Sequence, residues 1–243
     1  MNKDNKYSAG WEFESLSKVH NYYEWILSKL LQYKPFCGWR SSLDYGAGAG
    51  NFYKHIKLYC IYPYAYEPDP QFSSKLLDVV PDVVPKGHFV YSNMEAVRST
   101  APYNLITAIN VLEHIEDDKA ELLIMNSLLE YNGHLFLFVP AHPFLYGTLD
   151  AEFGHERRYE KKMLRKLVSS CGFRVLKCDY LNPVGAVIWL IMGRILYRTR
   201  WNSSLVSFYD KLVIPVARFF DRLPKFFGQS IFLVAVKNTG PTK

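Results

Sequence analysis

Three alternating glycines form the part of this sequence whose chemistry is easiest to interpret. Gly46, Gly48 and Gly50 follow a short run typical of a β-strand, and the chain after them is typical of a helix. Glycine adopts positive φ angles without strain, and its lack of a Cβ atom lets a ligand approach the backbone closely. The first turn of a following helix also presents unpaired N–H groups. This order predicts a ligand-binding loop at the carboxyl edge of a parallel sheet.

The spacing of the glycines discriminates between cofactors. A dinucleotide fingerprint needs G-x-G-x-x-G, and Asn51 occupies the position of its last glycine. Asp44 precedes the first glycine by two residues, where its charge would repel a pyrophosphate but suits a cationic amino-acid group. Glu67 ends the second predicted strand, where a carboxylate can accept both hydroxyls of a ribose. These residues argue against a nicotinamide-dependent oxidoreductase.

The segment from Asp44 to Gly50 resembles the first motif of class I S-adenosylmethionine-dependent methyltransferases, D-x-G-x-G-x-G. Three further segments are similar to that family in chain order: Glu67 after the second strand, residues 92–95 after the third and residues 110–115 after the fourth. The resemblance covers approximately residues 22–179 together with the last strand. It implies a Rossmann-like fold and S-adenosylmethionine as the cofactor.

The resemblance also implies roles for individual residues. The glycine loop would meet the methionine part of the cofactor, with Asp44 near the amino group, and Glu67 would hold the ribose. Asn93 and Met94 would meet the adenine, although Asn93 replaces an aspartate that is common in the family. Taken singly, Asp44 could instead cap a turn, and Glu67 could face solvent. The predicted cofactor-binding residues are Asp44, Gly46, Ala47, Gly48, Glu67, Pro68, Asn93, Met94, Asn110 and Val111, and no metal ligand is predicted.

The segment after the fifth predicted strand carries the candidate catalytic groups. His142 and His155 are candidates for a general base, because the pKa of an imidazole lies near neutrality and methylation of a hydroxyl releases a proton. Arg157 and Arg158 are candidates for a clamp on a phosphate or carboxylate of the acceptor. The alternative is a turn at His142 and a helix start with solvated charges at the arginines. The predicted acceptor-binding residues are Tyr146, Arg157, Arg158 and Tyr159.

Two stretches of this segment point to a narrower group. Residues 139–147 and 154–159 resemble bacterial methyltransferases that carry a P-x-H-P loop and a GHxRRY box, which implies a role in the assembly of glycans or lipid-linked saccharides. His114, after the fourth strand, is expected to pack beside the cofactor. Residues 110–113 stand where an N-P-P-Y or D-P-P-Y signature would mark methylation of base amino groups. RNA is therefore disfavoured as a substrate.

Strands and helices alternate along the chain, which predicts a mostly parallel sheet with helices on both faces. Apolar residues at spacings of three and four predict an additional amphipathic helix over residues 16–31. The predicted strands are Ser41–Tyr45, Ile61–Tyr66, His88–Tyr91, Tyr103–Ile109, His134–Val139, Phe173–Tyr180 and Ile231–Val236. The predicted helices that follow the glycine loop are Asn51–Leu58, Gln71–Val80, Asp117–Leu129 and Glu160–Cys171.

Four regions follow from this pattern. Residues 1–40 form an N-terminal helical segment and residues 41–182 a Rossmann-like cofactor-binding core. Residues 183–229 are predicted as a helical insertion, and residues 230–243 carry the last strand and a tail. The four cysteines form no C-x-x-C pair, the N-terminus lacks a signal-like apolar core, and the longest apolar run is too short to span a bilayer. A cytoplasmic location is expected.

The insertion is both aromatic and basic. From Pro183 onward, the sequence contains nine Lys and Arg residues and two Asp residues, a net charge of +7, whereas the net charge of the whole chain is +6. Such asymmetry predicts an anionic partner, and amphipathic helices of this composition lie on anionic membrane surfaces. The interpretation that we favour is a helical cap over the active site, with a membrane contact or a dimer interface as the alternatives. A cap that also touches a membrane could collect a lipid-linked acceptor.

The sequence therefore predicts a class I methyltransferase that methylates an oxygen of a glycan, a lipid-linked saccharide or another small acceptor. The alternatives are a non-catalytic cofactor-binding module, a membrane-surface module, and an N-methyltransferase acting on RNA or a small molecule. The sequence identifies neither the acceptor nor the oligomeric state.

Overall fold

The computed structural model describes residues 19–79, 90–198, 203–219 and 226–238. Seven strands form one sheet in the order β3-β2-β1-β4-β5-β7-β6. The strands are β1 (Trp39–Tyr45), β2 (Cys60–Tyr66), β3 (Val90–Tyr91), β4 (Tyr103–Ile109), β5 (Leu129–Pro140), β6 (Phe173–Leu181) and β7 (Ser230–Lys237).

Strands β1 to β5 pair in parallel, and β7 runs antiparallel to both of its neighbours. The chain winds outward from β1 to β3 and then crosses back to place β4 on the other side of β1. In such sheets a crevice opens at the carboxyl ends of the two strands where the winding reverses. The predicted Rossmann-like, mostly parallel fold is therefore confirmed.

Helices cover both faces of the sheet. The helices are α1 (His20–Leu31), α2 (Tyr53–Ile56), α3 (Pro70–Leu77), α4 (Met94–Ser99), α5 (Asp118–Leu128), α6 (Thr148–Glu152), α7 (Lys161–Ser170), α8 (Pro183–Leu190), α9 (Ser203–Phe208) and α10 (Ile214–Phe219). A π-helical turn, Ile191–Ile195, extends α8, and a second, Tyr209–Val213, joins α9 to α10. Among the described residues, no helix combines the length and the apolarity needed to cross a bilayer.

Strand β5 shows how the core is divided between the two faces. Leu135, Leu137 and Val139 pack into one buried cluster with residues of α4, α5 and α7. Phe136 and Phe138 pack into the other, with residues of α1, α2 and α10. Successive side chains of a strand point to opposite faces, so a strand covered on both faces must be apolar at consecutive positions. The run Leu135–Val139 meets this requirement.

The structure departs from the predicted elements in four places. The N-terminal helix begins at His20, while the predicted residues 16–18 and the start of the predicted strand at His88 lie outside the described residues. Residues 92–95 give helix α4 rather than a turn alone, because Asn93 caps its N-terminus. Strand β5 begins at Leu129, and its pairing with β4 continues across a register shift between Leu129 and His134, a stretch in which Asn132 has a φ angle of 61°. The segment after the fifth predicted strand, for which no helix was predicted before Glu160, contains helix α6.

Asp210 fastens the insertion to the N-terminal helix. Helix α1 has no side-chain cap of its own, and Asp210 Oδ2 accepts the N–H groups of His20 and Asn21, both at 3.0 Å. Asp210 Oδ1 accepts the N–H of Tyr22 at 2.9 Å. The Asp210 carboxylate is 2% exposed and lies against the positive end of the helix dipole. The insertion therefore caps a helix that precedes it by 190 residues.

Replacing Asp210 with alanine is expected to lower the free energy of unfolding by about 2–3 kcal/mol, because one charged acceptor serves three helix N–H groups. Urea denaturation followed by circular dichroism would measure the loss. Asp117→Ala is the matched control, since exposed Asp117 caps α5 through a single bond to the N–H of Ala120 and should cost about 1 kcal/mol. Equal losses in the two variants would contradict the role given to Asp210.

Candidate functional site

A cavity of about 460 Å³ opens at the carboxyl ends of β1, β2 and β4. The glycine loop lines one part of it. Side chains from α1, from the segment after β5 and from the insertion line the rest, among them Tyr22, His155, Trp189 and Tyr209. The cavity therefore joins the predicted cofactor residues to the segment predicted to carry acceptor contacts and to the insertion.

The glycine loop has the backbone that the sequence requires of it. Gly46 and Gly48 adopt φ angles of 70° and 55°, a region that side chains other than glycine disfavour. The N–H groups of Gly46 and Ala47 both donate to the carbonyl of Tyr66, at 2.8 and 2.9 Å. A Cβ atom at Gly46 would lie 2.7 Å from Val111 Cγ2. Only glycine therefore fits between this turn and the residue that follows β4.

Asp44, the penultimate residue of β1, is a buried carboxylate that is only partly hydrogen-bonded. Its Oδ1 accepts from the Thr107 hydroxyl at 2.7 Å, and its Oδ2 has no partner within the described parts of the chain. Burial raises the pKa of Asp44 to about 7, because the Thr107 hydrogen bond offsets only part of the desolvation and the charge of Glu67 adds to it. A cationic group near Asp44 would relieve this cost.

Glu67 links the glycine loop to the end of β2. Its Oε2 accepts the N–H of Gly48 at 2.7 Å, and its Oε1 accepts the N–H of Asp69 at 2.9 Å. Burial raises the pKa of Glu67 against these two bonds. Each carboxylate oxygen retains a second lone pair for a hydroxyl. Pro68 lines the cavity beside it.

The structure brings most, but not all, of the predicted cofactor residues together. Asn110 and Val111 line the cavity, and Asn110 adopts a φ angle of 54° while its N–H donates to Phe138. Asn93 and Met94 do not line it. Asn93 is exposed and its Oδ1 accepts the N–H of Ala96 at 2.8 Å, so its side-chain oxygen serves as the cap of α4.

Asp150 organises the segment after β5. It is fully buried, and its Oδ1 accepts from His155 Nδ1 at 2.8 Å and from Arg158 Nε at 2.7 Å. Its Oδ2 accepts from Trp189 Nε1 and from the N–H of Gly147, both at 3.0 Å. Burial would raise the pKa of Asp150, but the hydrogen bonds from His155 and Arg158 and the charges of these two residues outweigh it and hold that pKa below its usual range.

His155 is the predicted catalytic residue that lines the cavity. Because the ionised Asp150 only accepts hydrogen bonds, His155 Nδ1 must carry a proton, and Nε2 of the neutral ring then carries the lone pair. His155 Nε2 lies 4.0 Å from Oε1 of the buried Glu113. The ring of His114 meets that of His155 edge-on, with centroids 4.9 Å apart, and also lines the cavity.

Of the four predicted acceptor-binding residues, one lines the cavity, and the other three make their contacts elsewhere in the fold. Arg158 lines the cavity with its guanidinium 4.8 Å from the centre of the Trp189 ring. Arg157 instead pairs with Asp118 at 3.1 Å. Tyr159 and Tyr146 do not line the cavity. Their hydroxyls bond to framework groups: the carbonyl of Leu112 at 3.1 Å for Tyr159, and the carbonyl of His155 at 2.8 Å for Tyr146.

His142 lies away from the cavity lining. Its ring stacks on Tyr180 and Phe227, with centroids 4.5 and 4.9 Å apart, and its Nδ1 lies 3.7 Å from Glu160 Oε1. Burial lowers the pKa of His142, although Glu160 opposes the shift. This placement gives no support to the prediction of His142 as a general base.

Comparison with known proteins now identifies the family. A family model described as a methyltransferase domain matches residues 18–177. The chain belongs to the methyltransferase domain family. The match covers α1 and the sheet as far as β6, so the assignment rests on the region that contains the glycine loop, Asp44 and Glu67. No curated protein sequence matches the chain.

Solved structures share the fold of this methyltransferase domain at low sequence identity. An inferred methyltransferase from Bacillus halodurans is 16% identical with a TM-score of 0.57, covering 88% of this chain and 99% of that one. An S-adenosylmethionine-dependent methyltransferase from Archaeoglobus fulgidus is 18% identical, TM-score 0.52, over 88% and 94%. The N-methyltransferase NodS from Bradyrhizobium japonicum, in complex with S-adenosylhomocysteine, is 11% identical, TM-score 0.50, over 84% and 80%.

Several residues of the methyltransferase cavity escaped the sequence analysis. Asp150 stands in the sequence as an isolated carboxylate, and only the fold brings Trp189 from 39 residues away onto it. Tyr22 and Tyr209 reach the cavity from the two ends of the chain. The one available signal was spacing, since Asp150 and His155 are five residues apart within a segment rich in histidine and arginine.

Gly46→Ala is expected to weaken binding of S-adenosylhomocysteine to this methyltransferase by at least about tenfold, because the added Cβ meets Val111 in an already left-handed turn. Isothermal titration calorimetry would measure it. Gly38→Ala is the matched control: Gly38 also has a positive φ (75°), but the nearest atom to its Cβ would be 3.9 Å away. If both variants bind like the wild type, the glycine loop is not the binding site.

Proposed function

We propose that this protein is an O-methyltransferase that methylates a hydroxyl of a saccharide, either in a glycan or linked to a lipid. The observation that carries the proposal is the pairing of His155 with the buried Asp150 in the same cavity as the glycine loop. An imidazole oriented by a carboxylate is suited to accept the proton that a hydroxyl loses as it is methylated.

The methyl donor is S-adenosylmethionine. The methyltransferase family match and the S-adenosylmethionine-dependent neighbours confirm the cofactor that the glycine loop predicted. When bound, it supplies the methyl group on a sulfonium, which is a good leaving group. Asp44 Oδ2 and the carboxylate of Glu67 fit its amino group and its ribose hydroxyls respectively, and the Cβ-free surface at Gly46 admits it close to the backbone.

The His155–Asp150 pair would act as the base on the acceptor. Asp150 holds the Nδ1 proton of His155, so Nε2 is the atom that takes the hydroxyl proton. The imidazolium that forms would be stabilised by two carboxylates, Asp150 at 2.8 Å and Glu113 at 4.0 Å. Since displacement at a methyl group needs little else, correct positioning of the hydroxyl would supply much of the remaining rate.

The rest of the lining favours a neutral, hydroxylated acceptor. Trp189, Tyr22, Tyr209 and Phe153 present aromatic rings, which offer flat apolar surfaces with polar edges. Arg158 is the only Lys or Arg among the described residues of the lining, and Asp150 already neutralises it at 2.7 Å. These features suit a sugar ring better than a phosphate or a carboxylate.

The lipid-linked form of the acceptor is the narrower part of the proposal. It draws support from the likeness of residues 139–147 and 154–159 to methyltransferases of saccharide assembly, and from the insertion helices that border the cavity. With it we propose a cytoplasmic protein that works at the membrane surface.

A non-catalytic module would bind S-adenosylhomocysteine equally well, but no acceptor pool would yield the demethylated cofactor.

His155→Ala is expected to lower turnover about 10²- to 10⁴-fold, the usual contribution of a general base. Affinity for S-adenosylhomocysteine should stay within about twofold, because Asp44, Glu67 and the glycine loop are untouched. Transfer of radiolabelled methyl groups to glycolipid extracts would measure turnover, and calorimetry would measure affinity. His142→Ala is the control, since His142 does not line the cavity. Equal turnover in the two variants would exclude His155 as the base.

The raised pKa of Asp44 predicts a pH dependence of cofactor binding. Only the ionised carboxylate attracts the amino group, and the pKa of Asp44 in the ligand-free protein is about 7. Affinity for S-adenosylhomocysteine should therefore rise about tenfold from about pH 6 to about pH 8. Asp44→Asn should bind weakly with a flat profile over this range. The same slope in both proteins would show that another group controls binding.

The ionisation of Asp44 affects stability and cofactor binding in opposite directions as the pH rises. The folded-state pKa of Asp44 lies above its ordinary value of 3.8, so ionising the carboxylate in the ligand-free protein favours the unfolded chain. The contribution of Asp44 to stability should fall as pH rises from about 4 to about 7 and then level off. Melting temperatures of the wild type and of Asp44→Asn across this range would separate this effect from binding.

A further inference from the structure

The first insertion helix exposes an apolar stripe to solvent. Val184, Val187, Ile191 and Ile195 are between 39% and 61% exposed, and their spacing of three and four residues places them on one side of α8 and its π-helical extension. The other side is also apolar: Ala186 and Trp189 are buried. A helix that is apolar on all sides needs an apolar environment around it. Here the fold buries only the inner side of the helix and leaves the outer side exposed.

The second insertion segment repeats the pattern. Leu205, Phe208, Leu212, Val216 and Phe219 are between 51% and 79% exposed and recur every three or four residues along α9, the π-helical turn and α10. The inner side of this segment carries Val206, Ile214 and Ala217, all buried. The two exposed stripes together are named the docking face. Large apolar side chains that recur exposed along two neighbouring segments mark a contact with another phase or molecule.

The charges around the docking face have one sign. Residues 183–219 contain five Lys and Arg residues and a single acid, Asp210. The Asp210 carboxylate is buried and bonded to the N–H groups at the start of α1, so it faces inward. Lys211 and Arg218 are exposed and directly precede Leu212 and Phe219 of the second stripe, and exposed Arg194 directly precedes Ile195 of the first. An apolar face bordered by cations matches the acyl chains and headgroups of anionic lipids.

The same two segments also border the cavity. Trp189 lines it from the first segment, and Val206 and Tyr209 line it from the second. The Tyr209 hydroxyl and the side chain of Asn182, directly before α8, are 2.7 Å apart, which links the two segments. The docking face and the cavity therefore lie on opposite sides of one thin helical layer.

We infer that the docking face inserts into the headgroup region of an anionic lipid bilayer, with the cavity directly behind the layer that touches the membrane. The anionic bilayer is favoured over a second copy of the chain because the surrounding cations would repel one another across a symmetric interface. The inference about the membrane stands by itself. The corollary, that an acceptor anchored in the bilayer reaches the cavity past α8, rests on the proposed function.

Sedimentation of the full-length protein with lipid vesicles tests the inference. We expect binding to vesicles of phosphatidylcholine and phosphatidylglycerol to exceed binding to phosphatidylcholine alone by at least about tenfold. The double substitution Leu212→Glu and Val216→Glu should lower binding by at least about tenfold, because it places two carboxylates in the apolar stripe. Lys211→Glu should weaken binding to anionic vesicles and leave binding to neutral vesicles unchanged.

The matched control is Leu123→Glu with Met163→Glu. These side chains are 49% and 70% exposed and lie on α5 and α7, which pack on the other face of the sheet from α10. The control should bind vesicles like the wild type. Wild-type binding to neither vesicle type, or equal binding by the docking-face variant and the control, would overturn the inference. A wild-type dimer that the docking-face variant converts to a monomer would overturn it as well.

Titration with S-adenosylhomocysteine distinguishes a failure of the membrane inference from a failure of the proposed function. Both double variants should bind it as the wild type does, because no substituted residue lines the cavity, and normal binding also shows that each variant is folded. Vesicle binding without any affinity for S-adenosylhomocysteine would refute the proposed function and leave the membrane inference intact. Affinity for S-adenosylhomocysteine without vesicle binding would refute the membrane inference, together with the proposed location at the membrane surface, and leave the proposed methyltransferase activity intact.

Discussion

One buried carboxylate, that of Asp150, holds together the chain segments that form the cavity. Four donors converge on it: the side chains of His155, Arg158 and Trp189 and the N–H of Gly147. An ionised group that is fully buried is tolerated only when its lone pairs are satisfied in this way. The orientation of the His155 ring and the contact between α8 and the segment after β5 therefore depend on the same carboxylate.

Asp44 is a buried carboxylate of the opposite kind. The donors around Asp150 lower its pKa, whereas burial with one hydroxyl partner raises the pKa of Asp44 to about 7. In Asp150 the bonding capacity of the carboxylate is filled by groups of the protein, whereas the carboxylate of Asp44 can still bond to a ligand. It also explains why the glycine loop, Asp44 and Glu67 act as one site: Glu67 fixes Gly48, and the carbonyl at the end of β2 fixes Gly46.

Features that depend on adjacent residues could be predicted from the sequence. Alternating elements predicted the sheet, and the glycines with Asp44 and Glu67 predicted one part of the cavity, because strand ends and turns are encoded by adjacent residues. Contacts with a distant partner could not be predicted: Trp189 folds onto Asp150 from 39 residues away, and Tyr180 stacks on His142. The side-chain oxygen of Asn93, for which an adenine contact was predicted, instead accepts a hydrogen bond from the start of the helix that follows.

The bond between Asp210 and the start of α1 has a consequence for the order of folding during synthesis. A ribosome releases α1 first, yet its N–H groups lack their acceptor until residue 210 emerges. Strand β7, which separates β5 from β6, emerges later still. Domains generally assemble as units as the chain appears, but here the strand beside the edge strand β6 and part of the cavity lining come from residues 206–237. The lining of the cavity is therefore incomplete in a nascent chain until Ser230 has been synthesised.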